Sequence, residues 1–127
     1  MSGKRFLKEF LRSLTGIGLA VLISNAVANE WTDGFQAISY FAGGYNNDQV
    51  QLTIGTPFIN NHNPANCSTT SSSGYYVTDP SLFPSVKFLQ STLLAAYLAN
   101  RRVALYVDSS GCLYGQARIL AVSIEHP

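Results

Sequence analysis

The sequence predicts an α+β domain in which short strands supply most of the core and a single helix packs on them. Three observations predict it. Residues 49–56, QVQLTIGT, alternate strictly, with Val50, Leu52 and Ile54 on one face and Gln51 and Thr53 on the other, which is the period of a half-buried strand. Residues 84–99 carry a sustained helical period, with Val86, Leu89, Leu93 and Tyr97 on one stripe. Residues 116–124, QARILAVSI, are apolar on both faces, as in a strand with neighbours on either side.

The chain of 127 residues opens with a basic stretch, Lys4, Arg5, Lys8 and Arg12. An apolar run, Leu14 to Ile23, follows, and then Ala26-Val27-Ala28. This is the three-part layout of a secretory signal peptide, residues 1–28, cleaved after Ala28. The other reading is a retained anchor or an amphipathic first helix. The run is short for a bilayer span, and no later stretch is long and apolar enough for one. The expected location is secreted or periplasmic, with no membrane span after cleavage. Residues 29–127 then form a single domain.

Without the leader, Lys87, Arg101, Arg102 and Arg118 face Glu30, Asp33, Asp48, Asp79, Asp108 and Glu125, a net charge of −2. That balance speaks against a nucleic-acid partner, because binding phosphates requires clustered cations. Cys67 and Cys112 are the chain's two cysteines. In an oxidising compartment they read most simply as a disulfide. Closing a loop of about 45 residues would stabilise the fold by roughly 3–4 kcal/mol in the chain-entropy model. A metal site would need more ligands than His62 and His126 add.

Element by element, Trp31 is the only tryptophan and must either dock on the core or serve a surface. Residues 36–42, QAISYFA, read as a strand that forms a hairpin with 49–56 across the turn cluster at residues 43–48. Residues 57–74, PFINNHNPANCSTTSSSG, read as a polar loop. Its Asn and Ser groups suit a polyhydroxylated ligand, and equally a solvated connection. Residues 75–78 are a short strand. Pro84 suits a first helical turn, and Asn100 can take the left-handed position that ends the helix. Phe88, Leu94 and Leu98 form a second apolar stripe on that helix, facing either a neighbouring subunit or the long loop. Residues 103–107 are a strand, and Asp108-Ser109-Ser110-Gly111 reads as a tight turn before Cys112.

No catalytic constellation stands out. The G-x-S-x-G elbow and the Gly-rich phosphate loop are both absent from the sequence. The expectation is a protein that is not an enzyme and needs no cofactor. Seven tyrosines favour interfaces or sugar stacking, though several complete a small β-core under either reading.

The order of features resembles the B subunits of the subtilase cytotoxin and typhoid toxin group of AB5 toxins. The residues that carry the likeness are Glu30-Trp31-Thr32, the Gly34-Phe35 step, Ala65-Asn66-Cys67-Ser68, and Arg102-Val103-Ala104-Leu105-Tyr106. The resemblance implies a small OB-like antiparallel β-barrel or strongly curved sheet. It implies a homo-oligomer (a pentamer ring), a toxin-type catalytic subunit as partner, and a glycan or other cell-surface ligand. Gln36 stands where those subunits carry a glycan-contacting serine, and Cys112 has no counterpart in them. The candidate ligand-binding residues are Gln36, Ser39, Tyr40, Asn60, Asn61 and Asn63. A second reading is a periplasmic or secreted protein-interaction domain that binds no glycan.

Overall fold

The computed structural model describes residues 27–45, 48–55, 62–82 and 84–127. Residues 1–26, which hold most of the expected signal peptide, lie outside the described residues, as do Asn60 and Asn61. The elements run β1 (Glu30–Trp31), β2 (Gln36–Tyr45), β3 (Gln49–Ile54), α1 (Ser68–Ser73), β4 (Tyr76–Thr78), a 3-10 turn (Pro80–Leu82), α2 (Ser85–Leu98), β5 (Arg102–Leu113) and β6 (Gln116–Ile124). The architecture is α+β, with a six-stranded sheet and one principal helix.

The strand order is β1-β5-β2-β3-β4-β6, and β5 also pairs with β6. β2, β3, β4 and β6 therefore each have two neighbours and β5 has three, and the pairings lead from β5 through β2, β3, β4 and β6 back to β5. The sheet is mixed rather than purely antiparallel, because β4 and β6 pair in parallel, with Tyr76 opposite Ala117 and Thr78 opposite Ile119. Parallel neighbours need a long crossover. Here α2 and β5 lie between them in the chain.

The apolar face of β3 is buried as its alternation requires, but Gln49 and Thr53 are buried as well and only Gln51 is partly exposed, so the strand is covered on both sides rather than half-buried. Val50, Leu52 and Ile54 join one core cluster with Tyr76, Leu89, Leu93, Ala96, Val103, Leu105, Val107, Ala117 and Ile119. From α2 the buried residues are Val86, Leu89, Leu93 and Ala96, all within one narrow arc of the helix. The helix stops as Asn100 implied. Asn100 takes φ 54, its N–H bonds Tyr97 O at 3.1 Å, and the Arg101 N–H bonds Ala96 O at 2.9 Å. These two crossed bonds satisfy the last carbonyls in a Schellman arrangement.

Two segments depart from the sequence reading. Residues 108–111 are not a turn. They form an irregular stretch inside β5, between the pairs Val107 with Ile119 and Cys112 with Ala117. The chain reverses instead at Tyr114 and Gly115, which have φ 50 and φ 74. Two consecutive left-handed residues are what a tight hairpin turn demands. The Ser/Thr run is not all loop, because residues 68–73 form α1. Its composition is poor for a helix, so tertiary bonds hold it. The Thr70 hydroxyl donates to Tyr75 O at 2.7 Å and accepts the Ala117 N–H at 2.7 Å.

Cys67 immediately precedes α1 and is bonded to Cys112 of β5, which confirms the disulfide expected from the sequence. No helix among the described residues is long and apolar enough to cross a membrane.

The two sides of α2 predict opposite responses to truncation. Leu93→Ala should cost about 2–5 kcal/mol in urea unfolding, because it empties a fully buried site. Leu98→Ala, measured at a dilution where the chain is monomeric, should change stability by no more than about 0.5 kcal/mol. Equal losses at both positions would contradict the packing described.

Candidate functional site

Three of the predicted ligand residues lie along β2. The Gln36 amide donates to Asp33 O at 3.1 Å, and its Oε1 occupies the space that a side chain on Gly55 would need. Gly55 has φ 74, so glycine there serves both the backbone and Gln36. The Ser39 hydroxyl shares a 2.7 Å hydrogen bond with Thr53 on β3. Tyr40 is exposed, and its ring meets Tyr75 edge to face with centroids 5.5 Å apart. The ladder shifts register between Ile38 and Tyr40, so Ser39 falls at the irregularity.

Asn63 belongs to a different place and role. Its Oδ1 accepts the Cys67 N–H at 2.7 Å, and its amide donates to Cys67 O at 2.8 Å and Ser71 Oγ at 2.9 Å. Those bonds fix the turn that delivers Cys67 to the disulfide and to the start of α1. Asn63 is therefore engaged in the scaffold. Of the expected set, β2 collects Gln36, Ser39 and Tyr40, while Asn63 lies on the α1 side.

Two hollows lie elsewhere on the surface. One, of about 280 Å³, is lined by Trp31, Thr32, Gly34, Phe35, Ala104 and Ser123. Trp31 stacks on Tyr106 at 5.1 Å yet remains 46% exposed, so it both docks and serves a surface. Reciprocal bonds hold the segment: Thr32 N donates to Leu105 O at 2.9 Å, and Leu105 N donates to the Thr32 hydroxyl at 2.9 Å. The other hollow, of about 530 Å³, is bounded by Asn100, Arg101, Arg102, Glu125 and the last two residues. Within it the Arg102 guanidinium grips Glu125 through Nε at 2.6 Å and through NH2 at 2.5 Å.

Sequence reasoning missed two charged clusters. Arg118 on β6 donates to Asp79 at 3.1 Å through NH1 and to Asp108 at 2.9 Å through Nε, with a further short contact from NH2 to Asp108. Burial pushes both carboxyls up, but bonds from Ser81 to Asp79, from Ser110 to Asp108, and from Arg118 to both outweigh it. Both aspartates are held below the ordinary carboxylate range. The same Asp108 gathers the Ser110 N–H at 3.1 Å, so the irregular stretch of β5 is wrapped around this ion cluster. The second cluster is His62 with Glu30 and Asp33. Partners so far apart in the chain leave no local signal.

Among the described residues, no group of three or more His, Cys, Asp or Glu side chains is placed to hold a metal ion. Compared with known proteins, the chain matches no family model and no curated protein.

The Arg118 cluster predicts an acid limb. A carboxyl held low adds stability that is whole above its unfolded pKa, about 3.9 for aspartate, and is lost as pH falls through the lower folded value. Arg118→Met should cost about 2–4 kcal/mol at neutral pH by leaving two mostly buried carboxylates without their cation. Its urea midpoint should also fall less than the wild type's between about pH 5 and pH 3. Parallel acid curves for the two proteins would contradict the assignment.

Proposed function

We propose that this chain is a secreted, non-enzymatic binding module, similar to the B subunits of AB5 toxins, that assembles with copies of itself and recognises a glycan or another cell-surface ligand. The observation that carries the reading is the outer side of α2. Phe88 is 78% exposed, Leu98 is 74% exposed, and Leu94 is exposed beside them, opposite the buried arc. Lys87 is the only charge on the helix. Three large apolar side chains exposed on one side of a helix suit an interaction surface. Covering Phe88 and Leu98 would contribute about 1.5–3 kcal/mol each.

Three further observations support the reading. A circuit of five paired strands, with one parallel ladder and a helix preceding the last two strands, reads as an OB-like barrel, an architecture used for binding oligosaccharides and oligonucleotides. The net charge of the mature part favours the sugar over the nucleic acid. The Cys67–Cys112 disulfide fits the secreted or periplasmic location that the leader implies. Tyr40, exposed with Tyr75 at its edge, offers a ring for stacking on a ligand, and Gln36 and Ser39 supply polar groups along the same strand.

The second reading, a protein-interaction domain that binds no glycan, draws on the same helix stripe and on the hydrogen bonds already made by Gln36 and Ser39 within the fold.

Native mass spectrometry of the mature protein should show a ring of identical copies, a pentamer on the toxin-like reading. Phe88→Glu combined with Leu98→Glu should reduce it to monomers that keep the wild-type circular dichroism. A wild-type protein that is monomeric at micromolar concentration counts against the assembly. A glycan array should show binding that Tyr40→Ala lowers at least about tenfold, in line with the loss of a stacking contact. An array with no signal above background leaves the protein-interaction reading in its place.

A further inference from the structure

We infer that His62 is a proton-operated clasp that ties the β1 end of the domain to the segment entering α1. The imidazole lies between two carboxylates. Its Nδ1 is 3.0 Å from Glu30 Oε1 on β1, and its Nε2 is 3.0 Å from Asp33 Oδ1 in the turn after β1. The backbone of His62 is anchored separately, because the hydroxyl of the fully buried Tyr76 donates to His62 O at 2.8 Å. The histidine is thus fixed to β4 by its main chain and to the N-terminal segment by its ring.

Proton count decides what the ring can hold. An imidazolium donates from both nitrogens, whereas a neutral imidazole donates from one and presents a lone pair at the other. With a carboxylate at each nitrogen, the protonated ring satisfies both partners, and the neutral ring turns one contact into repulsion between a lone pair and an anion. Burial lowers the ring's affinity for the proton, but the hydrogen bonds and charges of Asp33 and Glu30 outweigh it, so the histidine titrates above its ordinary value. Among the described residues, the other titratable group facing the cluster is Tyr76. Burial pushes its phenol far up, with Glu30 adding to the effect, so it stays a neutral donor while His62 titrates.

The sign follows from that shift. Stability contributed by the clasp is whole below the unfolded histidine pKa of about 6.5 and is lost as pH rises through the higher folded value. Asp33 is the more exposed partner, with 67% of its side chain accessible against 42% for Glu30. It is the contact that opens when the ring becomes neutral. Trp31 and Thr32 lie between the two carboxylates in sequence, and with Gly34 and Phe35 they line the smaller hollow. Opening the clasp therefore loosens the wall of that hollow on the alkaline side.

Trp31, the chain's only tryptophan, reports on the clasp directly. Its fluorescence, followed from about pH 5 to pH 9, should show one transition centred above the ordinary histidine value. His62→Gln should abolish that transition, and His126→Gln should leave it unchanged. Asp33→Asn removes one anion at an exposed site and should move the midpoint down by about half a pH unit or more. A flat wild-type curve, or a transition that survives in His62→Gln, overturns the clasp. Should His62→Gln fail to fold, Asp33→Asn decides alone: an unmoved midpoint refutes the inference.

Discussion

The fold rests on the burial of one arc of α2 against the sheet. Val86, Leu89, Leu93 and Ala96 are the helix residues closed off from solvent, and three of the four belong to the common core cluster. Remove that contact and β3, β4 and β6 lose the apolar partners for their inward side chains. The helix also solves the connection problem. β4 and β6 run in parallel, and a parallel pair cannot be joined by a short turn. Placing α2 and β5 in the crossover brings β6 back beside β4 while delivering the apolar arc to the core. At the other side, the disulfide and the two bonds of Thr70 pin α1 onto β6 and its hairpin. A hundred-residue domain buries a modest core, and these local staples add to it.

Much of this arrangement was legible in the sequence because it is periodic. The alternation in residues 49–56 became β3, the two-faced apolar run became a strand between β4 and β5, and Asn100 ended the helix in the left-handed conformation. What the sequence concealed depended on partners far away in the chain. Residues 68–73 have poor helix propensity and are helical because Thr70, Asn63 and Cys67 tie them down. Asp108-Ser109-Ser110-Gly111 has the composition of a turn, but Arg118 draws Asp108 in and the strand continues past it. The steric demand of the reversal falls at Gly115 rather than Gly111: an added Cβ at Gly115 would stand 2.7 Å from Thr69 Oγ1.

The candidate site was legible only in part, for a physical reason. Polar side chains serve the fold and the ligand with the same groups, and composition does not separate the two uses. Asn63 looked like a ligand contact and is instead engaged by Cys67 and Ser71. Ser39 shares its hydroxyl with Thr53, and Gln36 reaches back to Asp33. Tyr40 keeps an exposed ring. The helix's second stripe posed the opposite problem: its existence was plain in the sequence, while its exposure depended on what packs beside α2. Phe88 and Leu98 stand exposed.

The apolar side chains left exposed on the element that organises the core link the fold to the proposed function. We propose that a copy of the same chain covers them. Covalent footprinting of the mature protein in solution tests this most directly, with labelling of Phe88 and Leu98 read by peptide mass spectrometry across a dilution series. The account predicts that both residues are protected at high concentration and become labelled as the assembly dissociates, while Leu93 stays protected throughout. Labelling of Phe88 and Leu98 at the rate of free side chains at every concentration would contradict it.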